Sequence, residues 1–256
     1  MSIEKLQQAI RRCKTPVALG LRADVTQLNA ALVRRFAELY GEGPMATAEA
    51  VRYQALKVLE ECADVVGAVY LDAMSYLALG SSGMDVLNNL CAAAKGKGYY
   101  VIADCRGAEA AAWCRALPQA DAVTVTPYCG GECCADVPEE RAVFALVRTA
   151  GALSGEVQNL MAGDRRLYLA AADQMARRGA GVVVETGYSL DIRELRKKQE
   201  KLFLLLTNCT PDSAEYAFDE YGRGTLVVDG TIQWESDSAE AARKAVKTMK
   251  QYVTVL

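Results

Sequence analysis

Short runs of apolar and β-branched residues recur along the chain and alternate with longer amphipathic stretches. The runs number eight and cover residues 16–21, 65–72, 99–105, 122–128, 141–149, 181–186, 202–208 and 225–231. Runs this continuously apolar are typical of strands buried on both faces, as parallel strands are. The pattern therefore predicts eight parallel strands.

The segments between these runs carry a helical period. In residues 25–40 the apolar positions are spaced i, i+4, i+8 and i+11, and they are Leu28, Leu32, Phe36 and Leu39. The same reasoning predicts helices over 1–14, 25–40, 46–62, 75–95, 107–117, 158–178, 191–200, 213–221 and 238–253. A polar loop is expected over 149–156, before the sixth strand.

Strands that alternate with helices in this number predict an α/β fold, a single (β/α)8 TIM barrel over residues 1–256 with helices at both ends. A doubly wound open sheet is the alternative, but no GxGxxG motif follows the first strand. The length of 256 residues suits one barrel, and no Pro-, Gly- or Ser-rich linker divides the chain. In such a barrel the functional residues lie at the carboxyl ends of the strands.

The composition excludes several kinds of site. The chain has no histidine, which rules out a Ser-His-Asp triad, a histidine zinc site and a histidine phosphoacceptor. Its net charge of −3 argues against a nucleic-acid partner. No apolar run reaches the roughly 18 residues of a membrane span, and the charged first helix does not resemble an export signal. We therefore expect a cytoplasmic protein, no membrane partner and nine reduced cysteines.

Charged residues follow the third predicted strand directly. Asp104, Arg106 and Glu109 place two acids around one base. One interpretation is structural, with Asp104 paired to Arg106 and Glu109 capping the next helix. The other interpretation is that this group carries out chemistry at the mouth of the barrel.

The next two strand ends carry weaker signals. Pro127 cannot donate to a sheet, so the fourth strand must end near Thr126. After the fifth strand, Ser154 lies in a loop of small and hydroxyl residues. Ser154 either contacts a ligand or caps the following helix.

Motifs in order along nearly the whole chain resemble one enzyme family. They are PVALGLR (16–22), VGAVYLDAMSYLALG (66–80), VIADCRGAE (101–109), VTVTPYCG (123–130), SGEVQNL (154–160), GVVVETGY (181–188) and FDEYGRGTLVVDG (218–230). This set is similar to the orotidine 5′-phosphate decarboxylase family, in its bacterial branch of longer chains. SGEVQNL is the most specific match, and VIADCRGAE resembles the family signature Asp-x-Lys-x-x-Asp.

The resemblance implies a cofactor-independent decarboxylation of orotidine monophosphate. In the family a carboxylate crowds the substrate carboxylate, and a lysine gives a proton to the carbanion. Carried over to this chain, Asp104 retains the carboxylate and Arg106 stands at the proton-donating lysine. Glu109 stands at the final acid, Tyr70 at the lysine of the second strand and Arg22 at the acid of the first.

These departures lead us to expect weak or absent decarboxylation. A guanidinium is a poor proton donor, and Tyr70 removes a positive charge. At the phosphate end, Asp229 stands near the expected arginine, and residues 207–211 lack the family's Gly-Gln-Gly loop. The resemblance gives four candidate substrate-binding residues, which are Arg22, Thr126, Ser154 and Asp229.

Three functions remain open from the sequence. The first is a working decarboxylase of pyrimidine biosynthesis, which converts orotidine monophosphate to UMP and CO2 in an altered geometry. The second is a non-catalytic barrel that binds a nucleotide or another small ligand, or modulates an active paralogue. The third is a related barrel enzyme with a different substrate. The resemblance further implies a homodimer with Glu109 at the interface, near Trp113, which is either an interface anchor or a core residue.

Five cysteines are expected at or just after strand ends, on one rim of the barrel: Cys105, Cys129, Cys133, Cys134 and Cys209. A thiol-rich metal or redox site is one interpretation. The spacing lacks the CxxC pairs of a zinc ribbon, so we predict no metal site, and scattered reduced thiols are the simpler interpretation.

Overall fold

The computed structural model describes residues 2–185, 187, 189–208 and 211–252, with the side chains of Ser2, Pro211 and Asp212 left aside. Its centre is a closed barrel of eight parallel strands, in which β1 pairs with both β2 and β8. The strands are β1 (Val17–Leu21), β2 (Ala68–Leu71), β3 (Tyr100–Gly107), β4 (Ala122–Val125), β5 (Ala142–Arg148), β6 (Gly181–Glu185), β7 (Leu204–Thr207) and β8 (Thr225–Asp229). Each strand lies within or overlaps a predicted run, and the predicted (β/α)8 fold is confirmed.

Helices connect the strands and cover the outside of the barrel. They are α1 (Ser2–Cys13), α2 (Ala30–Tyr40), α3 (Pro44–Cys62), α4 (Ala73–Leu77), α5 (Gly80–Gly96), α6 (Ala110–Ala116), α7 (Gly155–Gln158), α8 (Leu167–Ala176), α9 (Ser189–Lys198), α10 (Pro211–Ala214) and α11 (Ser238–Met249). Short 3-10 helices lie at Val25–Gln27, Pro127–Cys134, Glu215–Ala217 and Ile232–Trp234. Among the described residues no helix has both the length and the apolar character of a membrane span.

The interior of the barrel is an apolar core that ends in a polar layer. Ile102 of β3, Phe144 of β5 and Leu205 of β7 fill the interior, and Leu6 of α1 packs into the same cluster. Successive side chains of a strand point to opposite faces, so every second residue points inward. Two residues beyond Ile102 the inward position is Asp104, and the inward position that ends β6 is Glu185. The polar layer therefore lies at the carboxyl ends of the strands.

Several predicted helices are wrong in their extent. The helix expected over 25–40 is a 3-10 turn followed by α2, because the side chain of Asn29 accepts a hydrogen bond from Ala31 N–H and starts a new helix. Leu39 is 65% exposed, so the expected apolar face is not buried along its length. The helix expected over 75–95 is divided into α4 and α5 at Gly80, whose φ of +74° suits glycine.

The helix expected over 158–178 is also wrong. The short α7 precedes it, and a hairpin pairs Met161–Ala162 with Arg165–Arg166 before α8 begins. The helix expected over 213–221 is replaced by α10 and a 3-10 turn, and the last helix ends at Met249. Residue 253 lies outside the described residues. These errors concern loops and helix ends, and the order of the strands is unaffected.

Candidate active site

The end of β3 is irregular, and this irregularity forms the centre of the site. Ala103 pairs with Val123 and Gly107 pairs with Val125, so four steps along β3 match two steps along β4. Within this bulge Arg106 has a φ of +49°, in the left-handed region that side chains other than glycine rarely adopt. Bulges re-aim side chains next to active sites, and here the backbone turns Arg106 toward the carboxylate of Asp104.

Asp104 is almost fully buried, and three hydrogen bonds hold it. Arg106 donates from Nε at 3.0 Å and from Nη2 at 2.8 Å to one carboxylate oxygen of Asp104. The hydroxyl of Thr124 donates to the other oxygen at 2.6 Å. The same hydroxyl accepts the backbone N–H of Arg106 at 2.9 Å. Thr124 therefore fixes both members of the pair.

Glu185 completes an ion-paired cluster at the carboxyl end of β6. Its Oε1 accepts from Nη2 of Arg106 at 2.5 Å, and its side chain is only 11% exposed. The guanidinium thus lies between the carboxylates of Asp104 and Glu185. With both acids ionised, this group carries a net charge of −1.

Two buried hydroxyl groups face this region without a partner. The hydroxyl of Tyr70 and the hydroxyl of Thr207 have no hydrogen-bond partner among the described residues. Tyr70 is 6% exposed, and the charges of Asp104, Arg106 and Glu185 act on its hydroxyl. Thr207 lies opposite Glu185 in the register of β6 and β7. A buried polar group without a partner costs about 1–3 kcal/mol. These hydroxyls are therefore available to a ligand.

Asp72 adds a third carboxylate at the end of β2. Its carboxylate accepts the backbone N–H of Ser75 at 3.2 Å and so caps α4. Burial raises the pKa of Asp72, and the negative charge of Asp104 raises it further, whereas Arg106 and Arg22 act in the opposite direction. Asp72 therefore lies within the electrostatic reach of the cluster.

Charge and burial fix which groups can give up a proton. Burial opposes the charged form of Arg106, but its hydrogen bond to Asp104 and the charges of Asp104 and Glu185 outweigh burial and raise its pKa. Burial raises the pKa of Tyr70 well above its ordinary value, and the charge of Asp104 adds to this. Burial also raises the pKa of Glu185, against the effect of Arg106. Of these three groups, Glu185 is the one whose pKa is raised from the acidic range, in the direction of neutral pH.

Two candidate substrate-binding residues lie at the rim and are bonded to their own neighbours. Arg22 is exposed, and its guanidinium is 3.2 Å from the carboxylate of Asp24. Asp229 accepts the N–H and the hydroxyl of Thr231 at 2.9 and 2.6 Å, which closes a local turn at the end of β8. Neither residue has an ion pair with the central cluster in the described part of the chain.

Ser154 is part of a network that fixes the loop after β5. Arg148 donates to the hydroxyl of Ser154 at 3.0 Å and to Oε1 of Gln158 at 2.7 Å. Ser154 in turn donates to the carbonyl of Thr149 at 3.1 Å. Arg148 is itself buried against Asp191 at 2.8 Å. The structure thus gives Ser154 a positioning role in the loop, besides any contact that it makes with a ligand.

The remaining candidates stand apart from the ion-paired cluster. Glu109 is exposed at the start of α6, and no ion pair joins it to another described residue. Thr126 is half-buried and donates its backbone N–H to the carbonyl of Gly107 at 2.9 Å. Trp113 packs over Gly107, because a Cβ added there would lie 2.2 Å from its indole nitrogen. Trp113 therefore has a packing role within its own chain.

The cysteines do not share one rim, so that prediction is wrong. Cys105 is buried and faces the helices, where it interacts with Cys91 and Cys114. Cys134 lies at the opposite end of the barrel, in a pocket that Ile3 and Ala142 also line. The eight cysteines of the described residues are free, and Cys209 lies outside them. Within that part of the chain no group of three or more acidic or cysteine side chains is arranged to hold a metal ion.

Sequence reasoning named Asp104, Arg106 and Tyr70, which the structure brings together. It missed Thr124 and Glu185 as site residues. The signal that could have found Glu185 is an acid that ends an otherwise apolar strand, GVVVE, on the inward phase of the alternation.

Replacing Glu185 by glutamine is expected to change how stability depends on pH. Because the pKa of Glu185 is raised on folding, the folded chain binds more protons than the unfolded chain above the ordinary glutamate pKa of about 4.3. The wild-type chain should therefore lose stability relative to Glu185→Gln as pH rises through the window between the two pKa values. Urea unfolding of both proteins at pH 5 and pH 7.5 measures this. A difference in unfolding free energy that is constant between those pH values would contradict the expectation.

The curated proteins that this chain resembles share one name. No protein-family model matches the chain. Orotidine 5′-phosphate decarboxylase of Roseiflexus sp. (strain RS-1) is 30% identical over 176 residues, covering 63% of this chain and 64% of the relative. The protein of the same name from Halobacterium salinarum is 28% identical over 194 residues, covering 67% and 73%. That of Clostridium perfringens is 22% identical over 234 residues, covering 77% and 82%.

Solved structures support the fold. The OMP decarboxylase of Leishmania donovani superposes with a TM-score of 0.79 at 19% identity and covers 98% of each chain. The orotidine 5′-monophosphate decarboxylase of Plasmodium berghei gives 0.80 at 11% identity, with 97% of each chain covered. The motifs, the barrel and the shared name of these curated relatives agree, and the chain is similar to orotidine 5′-phosphate decarboxylases over 63–77% of its length.

Proposed function

We propose that this chain is a cofactor-independent carboxy-lyase that converts orotidine 5′-phosphate to UMP and CO2 at a low rate. The observation that carries the proposal is Asp104, which β3 presents at the mouth of the barrel in a chain whose curated relatives bear this name. The Roseiflexus relative is matched over 64% of its length, so its activity supports the proposal by kinship alone.

The geometry allows Asp104 only part of the role that the family's carboxylate plays. A substrate carboxylate placed against an ionised Asp104 is repelled in the ground state, and loss of CO2 relieves the repulsion. Here Arg106 and Thr124 already hold both oxygens of Asp104. The charge of Asp104 is therefore partly neutralised before a substrate arrives, which reduces the repulsion.

Proton delivery is the second weak step. Breaking the bond to CO2 leaves an electron pair on the ring carbon, and a nearby group must supply a proton. Arg106 occupies the position of the family's lysine, and its pKa is raised, so it holds its proton too firmly. General acid catalysis contributes about 10²–10⁴ in rate, so its loss accounts for slow turnover.

A steady-state assay of CO2 release from orotidine 5′-phosphate tests this function. We expect measurable turnover that is far below that of a relative with the full Asp-x-Lys-x-x-Asp signature, assayed alongside. Asp104→Asn, which keeps the shape of the side chain, should abolish the activity that remains. A wild-type rate equal to that of the relative contradicts the low rate, and no turnover at all contradicts the function.

A second function is favoured by one observation. Arg106 bridges Asp104 and Glu185, and these ion pairs occupy the mouth where a substrate carboxylate would enter. This arrangement suits a non-catalytic barrel that binds a nucleotide without turning it over, or that modulates an active paralogue. In this case UMP should stabilise the protein against heat by RT ln(1 + [L]/Kd) while CO2 release is absent.

We also propose that the chain acts in the cytoplasm as a homodimer. Support for the dimer comes from the similarity to the curated relatives and from Glu109, which is exposed at the start of α6 and has no ion pair with another described residue. Light scattering coupled to size exclusion should give twice the chain mass of 27.6 kDa. A monomer at micromolar concentration would contradict the dimer. For the location, the free cysteines of the described residues suit a reducing compartment.

A further inference from the structure

Negative charge outweighs positive charge at the centre of the site. Asp104 and Glu185 bind Arg106, and Asp72 lies close enough for both Asp104 and Arg106 to shift its pKa. With the three carboxyl groups ionised and one guanidinium charged, the sum is −2. A ligand that brings a further carboxylate to this place meets net repulsion in a poorly solvated site, where charges interact strongly.

Polar groups without partners show that the same place is built to receive a ligand. The hydroxyl of Thr207 is more than nine-tenths buried and lacks a partner among the described residues, and the equally buried hydroxyl of Tyr70 lies beside the Asp104 carboxylate without a hydrogen bond of normal length. The guanidinium of Arg106 uses Nε and Nη2 for its two carboxylates, and Nη1 has no hydrogen bond to any described group. Hydroxyl and guanidinium donors require acceptor atoms. The site therefore offers hydrogen bonds to an oxygen-rich ligand, while its net negative charge opposes a carboxylate at this place.

We propose that Glu185 determines the charge of the ligand accepted here: its carboxyl group must be protonated for a carboxylate-bearing ligand to bind, so binding takes up one proton at Glu185. This inference rests on the proposed function, because it takes the ligand to be the 6-carboxylated pyrimidine nucleotide. Protonation of Glu185 reduces the net negative charge, from −2 to −1. It also gives the carboxyl group an O–H that can donate to the ligand.

Glu185 is less compensated than Asp104, with which it shares the guanidinium of Arg106. Asp104 accepts three hydrogen bonds, two from Arg106 and one from Thr124. Asp72 caps α4 through Ser75. Glu185 accepts one hydrogen bond, from Arg106.

The charged groups that act on Glu185 are Arg106 and Asp104 from β3 and Asp72 from the end of β2, with the hydroxyl of Tyr70 beside them. The neighbouring strand β7 contributes the uncharged Thr207. Burial disfavours the ionised form of Glu185, and the two acids act in the same direction. Arg106 alone among these groups opposes them.

Equilibrium binding of a matched pair of nucleotides tests the proposal. UMP and orotidine 5′-phosphate share the same phosphate and differ in the ring carboxylate, so titration of the phosphate cancels in the ratio of their Kd values. Calorimetry between pH 5.5 and 8 should show the relative affinity for orotidine 5′-phosphate falling up to about tenfold per pH unit as pH rises. Glu185→Gln resembles the protonated form of Glu185. In this variant the ratio of the two Kd values should not change with pH, and it should equal the ratio that the wild type shows at low pH.

Glu194→Gln is the matched control, because it removes a carboxylate of α9 that bonds Tyr168 outside this cluster. It should keep the wild-type pH dependence. A ratio that does not vary with pH in the wild type, or that varies equally in Glu185→Gln, overturns the inference, as does failure of both nucleotides to bind. CO2 release judges the proposed function separately. If the chain releases CO2 but the ratio of the two Kd values does not change with pH, the proposed function stands and the inference about Glu185 fails. If orotidine 5′-phosphate binds with proton uptake but no CO2 is released, the inference stands and the proposed function fails.

Discussion

Replacing Arg106 with lysine is expected to raise the rate of orotidine 5′-phosphate decarboxylation by about 10²-fold, the lower end of what a general acid contributes. An ammonium group gives up its proton far more readily than a guanidinium whose pKa is raised. Lysine also releases one of the two hydrogen bonds that Arg106 makes to Asp104, which restores charge to that carboxylate. The double variant Tyr70→Lys with Arg106→Lys should be faster still, because it returns a positive charge between the acids.

The control for this gain is Arg106→Gln, which loosens the same ion pairs and supplies no proton. It should remain at or below the wild-type rate. If Arg106→Lys and the double variant are no faster than the wild type, proton delivery is not what limits this chain. That result would favour the non-catalytic function. For the wild type and for each variant, the measured quantity is kcat/KM for CO2 release.

Replacing Arg196 with methionine is expected to lower the free energy of unfolding by about 3–5 kcal/mol, because several buried carbonyls lose their donor at a cost of about 1–3 kcal/mol each. Arg196 is buried at the end of α9. Its guanidinium donates to five backbone carbonyls, which belong to Ala217, Gln199, Glu200, Leu202 and Gly224. These carbonyls lie on the two segments that lead into β7 and β8, so one side chain joins two connections of the barrel. Burial lowers its pKa to about 10, which shows how far the group is removed from water.

Urea unfolding followed by circular dichroism measures this effect. The matched control is Arg193→Met in the same helix, where the exposed guanidinium lies over the ring of Tyr216. The control should change stability by less than about 1 kcal/mol. Equal losses for Arg193→Met and Arg196→Met would show that the network of carbonyls adds nothing. Arg196→Lys should be intermediate, because an ammonium cannot reach five acceptors at once.

The ion pair of Asp104 and Arg106 could be predicted because its members are two residues apart at a strand end. Glu185 could not be paired with Arg106 in the same way, since 79 residues separate them and only closure of the barrel makes them neighbours. The bulge in β3 could not be predicted from the sequence either. Whether two extra residues are accommodated within a strand or after it depends on the pairing with β4, which a single sequence does not contain.

The sequence by itself determined the strands and their order. The periodic apolar runs specify which residues are buried on both faces, and short connections then allow few arrangements other than the parallel barrel. The tertiary structure alone decided which of the polar residues at the strand ends meet in the site. Closure brings Tyr70, Asp104, Glu185 and Thr207 to one mouth from four different strands. It leaves Glu109, Arg22 and Asp229 at its edge. The physical reason is that hydrophobic patterning acts within each strand, whereas the charge balance of the mouth arises from side chains that become neighbours only when β1 meets β8.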